Sequence, residues 1–140
     1  MKKIIAYTDG GSRGIAVNVS SALWNSGGCF FEAVQAALDD SGLAPERLTL
    51  EVTETAVGHA EEDRLCVDVL GRLRERGIRI SIDDFGTGHS NLTRLRRLGF
   101  DEIKIDRQFV AGIERDADDA AVVRAVLGLG LALGLDVVAE

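Results

Sequence analysis

Residues 78–106, IRISIDDFGTGHSNLTRLRRLGFDEIKID, decide the fold. Two runs of alternating apolar and polar residues flank a glycine-rich loop and a leucine-spaced segment. In the first run Ile80 and Ile82 share one face and Ser81 and Asp83 the other. In the second, Ile103 and Ile105 share a face and Lys104 lies opposite. Side chains two apart on a strand point the same way, so both runs read as strands. Between them Leu92, Leu95 and Leu98 recur at helical spacing, which predicts a short helix. Strand, helix and strand in this order form a βαβ unit with parallel strands.

The same alternation extends in both directions. LTLEVTE (48–54) and IAVNVS (15–20) read as strands before it, and LDVVAE (135–140) as a strand after it. Helices are expected at 28–40 (Phe30, Phe31, Val34, Leu38), at 60–76 (Leu65, Val69, Leu70, Leu73, ended by Gly77) and at 117–133 (Val122, Val126, Leu129, Leu133). KIIAYTD (3–9) reads as one more strand, joined to 15–20 by the turn GGSRG (10–14). A parallel crossover needs a dozen residues or more, so this pair is expected to be an antiparallel hairpin. The expected fold is α/β: a partial (β/α) barrel of about five parallel strands plus an antiparallel N-terminal hairpin strand, in a single domain over residues 1–140.

Strands covered by helices on both sides are continuously apolar. These are not. Val17 and Val19, Leu50 and Val52, Ile80 and Ile82, and Ile103 and Ile105 make one greasy face. The other face carries Asn18, then Thr49, Glu51 and Thr53, then Ser81 and Asp83, then Lys104, then Glu140. A (β/α) barrel has this arrangement near its mouth, where functional groups gather at the C-terminal strand ends. Asn18, Glu51, Asp83, Lys104 and Glu140 all lie towards the ends of their strands. With strands about 4.8 Å apart, they are expected to converge on one small site.

The chain has 140 residues, a formal charge of -7 and a pI near 4.8. That balance repels nucleic acid and anionic membranes, so a phosphate ligand would need metal ions or a few placed cations. Cys29 and Cys66 lack CxxC spacing and read as core residues rather than a disulfide or zinc framework. The apolar stretch 120–135 is interrupted by Gly128, Gly130 and Gly134 and falls short of a membrane span, which needs about 20 residues. With no secretory signal evident, the expected compartment is the cytoplasm.

ExTE at 51–54, DDFGTG at 83–88 and KIDRxFV at 104–110, with VNVS at 17–20 and VVAE at 137–140, resemble the EAL domain, the cyclic di-GMP phosphodiesterase family, over roughly residues 15–140. The resemblance implies two divalent cations, magnesium or manganese, that activate a water to open the cyclic dinucleotide. It implies Asn18, Glu51, Asp83 and Asp84 as metal ligands, and Lys104 as the group that orients the water or steadies the phosphate. Glu140 would be a ligand or general base, and Glu54 would brace the glycine-rich loop from Phe85 to Ser90. The signature EAL strand with its metal-binding glutamate is not found, and His89 stands where the family has tyrosine. Impaired catalysis is therefore expected.

Residues 1–14, MKKIIAYTDGGSRG, resemble instead the first strand and turn of type 1 ribonuclease H, whose metal-binding aspartate would here be Asp9. Together the two resemblances imply a chimera, engineered or selected for folding. Three functions compete: a metal-dependent cyclic di-GMP phosphodiesterase, a non-catalytic folded scaffold, and a nuclease acting through Asp9. A half-barrel leaves an edge and a lumen face to be covered, so a homo-oligomer, a dimer first, is expected. Sedimentation at micromolar concentration checks this, and a monomer mass would refute it.

Overall fold

The structure is a computed structural model that describes residues 4–9, 12–20, 23, 28–57, 63–87 and 92–139. The elements are β1 (Ile4–Asp9), β2 (Ser12–Val19), α1 (Gly28–Ser41), β3 (Leu48–Thr53), α2 (Asp63–Glu75), β4 (Arg79–Phe85), α3 (Leu92–Leu98), β5 (Glu102–Ile105), α4 (Arg107–Gly112), α5 (Ala117–Leu133) and β6 (Asp136–Ala139). Single 3-10 turns at Pro45–Arg47 and Glu54–Val57 flank β3. The six strands form one sheet in sequence order. Strands β2 to β6 are parallel, and β1 runs antiparallel along β2.

The expected join between the N-terminal strand and the partial barrel needs correction. The five parallel strands set the fold class. The second strand begins at Ser12 rather than at residue 15, because pairing continues from Ile4↔Val17 down to Asp9↔Ser12. Only Gly10 and Gly11 stand between the two strands, not a five-residue turn. The edge strand therefore belongs to the sheet along its whole length. A further departure is α4, which alternation did not reveal: at six residues it is too short to show a period. Asp106 starts it by accepting a hydrogen bond from the Gln108 N–H at 2.8 Å.

The core lies between the greasy sheet face and the helices. Leu50, Val52, Ile80, Ile82, Ile103 and Ile105 are buried on the sheet side. Phe30 and Phe31 of α1, Val69, Leu70 and Leu73 of α2, Leu95 and Leu98 of α3, and Val123 and Val126 of α5 cover them. Helix α5 is apolar nearly all round and leaves Leu127 and Leu131 exposed. None of the helices among the described residues is long and apolar enough to cross a membrane.

Asp101 ties the lower end of the sheet together. Its backbone N–H donates to the Ile80 carbonyl at 2.9 Å, its Oδ2 accepts from the Ile80 N–H at 2.9 Å, and its Oδ1 accepts from Arg74 at 3.1 Å. Its carbonyl accepts from the Asp136 N–H at 3.0 Å, which aligns the entry to β6. Asp101→Ala removes the acceptor of the Ile80 amide. A loss of about 1–3 kcal/mol of stability is expected, read from the denaturant midpoint.

Candidate functional site

The polar sheet face builds the site. Parallel register sets Asn18 beside Glu51, Glu51 beside Ser81, and Thr53 beside Asp83. Lys104 comes from the next strand, on the same face as Ser81 and Asp83. Its Nζ donates to Glu51 Oε1 at 2.9 Å and stands 3.8 Å from Asp83 Oδ1. Lys104 and Glu51 are buried at 4% and 2% side-chain exposure, while Asp83 keeps 15%. Two carboxylates and an ammonium thus meet on the polar face of the sheet, where burial of Glu51 and Lys104 lowers the local dielectric and strengthens their attraction.

A second polar tier lies towards the start of the strands. The buried Ser81 hydroxyl donates to Glu102 Oε1 at 2.9 Å. The Arg79 guanidinium pairs with Asp136 and stands 3.8 Å from Glu102 Oε2. The hydrogen bond to Asp136 raises the pKa of Arg79, against a lowering effect of burial, with Asp136, Glu102 and Asp101 adding attraction. Sequence reasoning did not place Arg79, Glu102 and Asp136 near the site. The available signal was parity, since Glu102 lies two residues before Lys104 and shares its face.

The upper end of β4 departs from regular alternation. Ile82 pairs with Ile103 and Phe85 with Ile105, so β4 uses one residue more than β5 over the same span. Asp84 takes a left-handed backbone (φ 56°), and its N–H donates to Asp83 Oδ1 at 3.0 Å. Aspartate adopts this region more readily than most residues. The bulge leaves Asp84 exposed beside Asp83 and returns Phe85 to the core. The loop then passes through Gly86 (φ 104°), where a Cβ would lie 3.0 Å from Phe109 Cε2 and 3.2 Å from Val122 Cγ1. Buried Glu54 accepts the Gly86 N–H at 3.1 Å, and Thr87 Oγ1 donates to the Asp84 carbonyl at 2.8 Å.

The structure thus brings Glu51, Asp83 and Lys104 into contact, with Asn18 one strand away and Asp84 on the adjoining bulge. It does not bring in Asp9. That residue pairs with Ser12, six positions before Asn18 on β2 and at the opposite strand end, roughly 20 Å away at the usual strand rise. Glu140 and His89 lie outside the described residues.

The oxygen donors suit a hard divalent cation in their chemistry. Their arrangement does not. The place between Glu51 and Asp83 is taken by the Lys104 ammonium, and among the described residues no three His, Cys, Asp or Glu side chains group to hold a metal ion.

Breaking a buried pair from one side leaves an uncompensated charge. Glu51→Leu is therefore expected to cost about 3–5 kcal/mol. Adding Lys104→Met to it should recover a large part of that loss. Chemical denaturation of the two variants checks the order of stability.

The EAL domain family model matches residues 2–140. The chain is 44% identical over 137 residues to the bifunctional diguanylate cyclase/cyclic di-GMP phosphodiesterase MucR of Pseudomonas aeruginosa, a span of 96% of this chain and 19% of MucR. In structure it resembles the PaMucR phosphodiesterase in its c-di-GMP complex, with a TM-score of 0.81 and 42% identity over 89% of this chain and 49% of that one. It also resembles Klebsiella pneumoniae BlrP1, solved as a manganese/cyclic-diGMP complex, with a TM-score of 0.80 and 34% identity over 93% of this chain and 33% of that one. The chain spans 12–19% of the lengths of three of the curated relatives it matches. A match that starts at residue 2 overturns the boundary drawn after residue 14. The ribonuclease H-like beginning, the chimera and the engineered origin fall with it, in keeping with the unbroken pairing of β1 along β2. From residue 2 to residue 140 the chain belongs, as one continuous fold, to the EAL domain family.

Proposed function

We propose that this chain acts on cyclic di-GMP as an EAL-type phosphodiesterase with slow turnover. The observation that carries the reading is the meeting of Glu51, Asp83 and Lys104 at the C-terminal ends of three adjacent parallel strands. The Lys104 ammonium can neutralise a non-bridging phosphate oxygen, and the neighbouring carboxylates can orient a water against the phosphorus. Attack by that water breaks one phosphodiester bond, and a proton passes to the departing ribose oxygen, which opens the ring. By likeness to the family, Asn18, Glu51, Asp83 and Asp84 would be the residues to hold Mg2+ or Mn2+, with Glu140 a further ligand or base, although in this arrangement the Lys104 ammonium takes the place between Glu51 and Asp83. Glu54, through its hydrogen bond to Gly86, keeps the glycine loop beside them. The likeness to MucR and BlrP1 supports the substrate and the cation class.

A second reading, a folded module that holds the dinucleotide without turning it over, is favoured by the engagement of Glu51 with Lys104. One experiment separates the two. Cyclic di-GMP is incubated with the protein and Mn2+ or Mg2+, the linear product is followed by chromatography, and binding is followed by calorimetry. Slow cation-dependent hydrolysis is expected, falling on the order of 100-fold or more in Asp83→Ala. Binding without product favours the second reading, and neither binding nor product refutes both.

A further inference from the structure

We infer that the cavity where helices α1 and α2 end is a binding site for a free α-amino acid with an aliphatic side chain, its carboxylate taken by Arg76 and its ammonium by Asp39. The cavity lies at the opposite end of β4 from Asp83, since Ile78 in its wall immediately precedes that strand. It shares no residue with the strand-end cluster and is independent of the proposed phosphodiesterase activity.

Two helix ends and a turn build the cavity. Helix α1 stops at Gly42 (φ 65°), whose N–H donates to the Leu38 carbonyl at 2.9 Å, and α2 stops at Gly77 (φ 92°), whose N–H donates to the Arg74 carbonyl at 2.8 Å. A Cβ at Gly77 would lie 2.9 Å from Glu46 Oε1, so the bare glycine lets the Pro45–Arg47 turn lie against the end of α2. The cavity has a volume of about 280 Å3, at the lower limit for ligand sites, which suits a small molecule rather than a dinucleotide. Leu43, Pro45 and Ile78 give it apolar walls. Its charged groups are one of each sign. With the Gln35 amide turned so that its oxygen faces Arg76, that oxygen accepts from Arg76 Nε at 2.9 Å and from Nη2. A neutral group thus aims the guanidinium and leaves its charge uncompensated. Asp39, one turn along α1 from Gln35, lines the same cavity, yet among the described residues no ion pair joins it to Arg76. A ligand with only a carboxylate would satisfy Arg76 and be repelled by Asp39, and a simple amine would meet the reverse. A phosphate would also face the carbonyl ends of two helices, which carry partial negative charge. A zwitterion satisfies both side chains, and the same carbonyl ends favour its ammonium. The apolar walls then suit an aliphatic side chain.

The test is a titration of the 15N-labelled full chain, followed by amide chemical shifts. The ligands are L-leucine, 4-methylpentanoate, which lacks the ammonium, and isopentylamine, which lacks the carboxylate. Leucine should give saturable shifts centred on residues 35–45 and 76–78, with a dissociation constant at least about fivefold below that of either analogue. Asp39→Asn should abolish the advantage of leucine over 4-methylpentanoate, and Arg76→Gln its advantage over isopentylamine. Such a variant-specific change of preference does not arise from general loss of structure. No saturable shift at millimolar leucine, shifts centred elsewhere, or leucine binding no better than either analogue overturns the inference. Should a variant fail to fold, the comparison of the three ligands on the unaltered protein decides.

Discussion

A lysine ammonium inside a protein must keep its charge company, and here that requirement organises the site. Lys104 stands on β5, yet its partner Glu51 stands on β3, with β4 between them. The contact needs all three strands in correct register and the polar face turned inward. A slip of one residue in any strand would reverse its faces and bury a charge among Ile80, Ile82 and Ile103, at a cost far above that of a lost surface contact. The hydrophobic layer supplies most of the driving force for folding. The buried pair makes one register much better than its neighbours.

Much of this could be read from residue order. Alternation placed the strands at Leu50, Val52, Ile80, Ile82, Ile103 and Ile105, and the acids and Lys104 opposite them, because burial on one face leaves a two-residue rhythm. What escaped were features without a rhythm. Helix α4 is a turn and a half long. The Arg79, Glu102 and Asp136 tier depends on which strands are neighbours, information that a single strand does not carry. The pairing of Lys104 with Glu51, 53 positions apart, likewise follows from sheet order alone.

The N-terminal residues show the opposite hazard. YTDGG is a compact motif, and a short match assigned Asp9 to another family. Strand register argues differently. Asp9 lies at the far end of β2 from Asn18, and β1 follows β2 for six paired positions. A turn rich in glycine next to an aspartate is common hairpin chemistry, so the motif reports local geometry before it reports ancestry.

The irregular step at Asp83 and Asp84 has a consequence for how this strand tolerates change. In a regular strand, neighbours face opposite ways, so two adjacent acids cannot both serve one mouth. The extra residue divides β4 into two stretches with independent parity, one ending on Asp83 and one beginning at Phe85. An insertion within a strand is ordinarily among the most disruptive of mutations; here it is what sets acid beside acid. Removing Asp84 would restore perfect alternation and keep Phe85 on the core face opposite Ile105, yet it would take the second acid from the mouth, so for this segment the more regular sequence would be the poorer site.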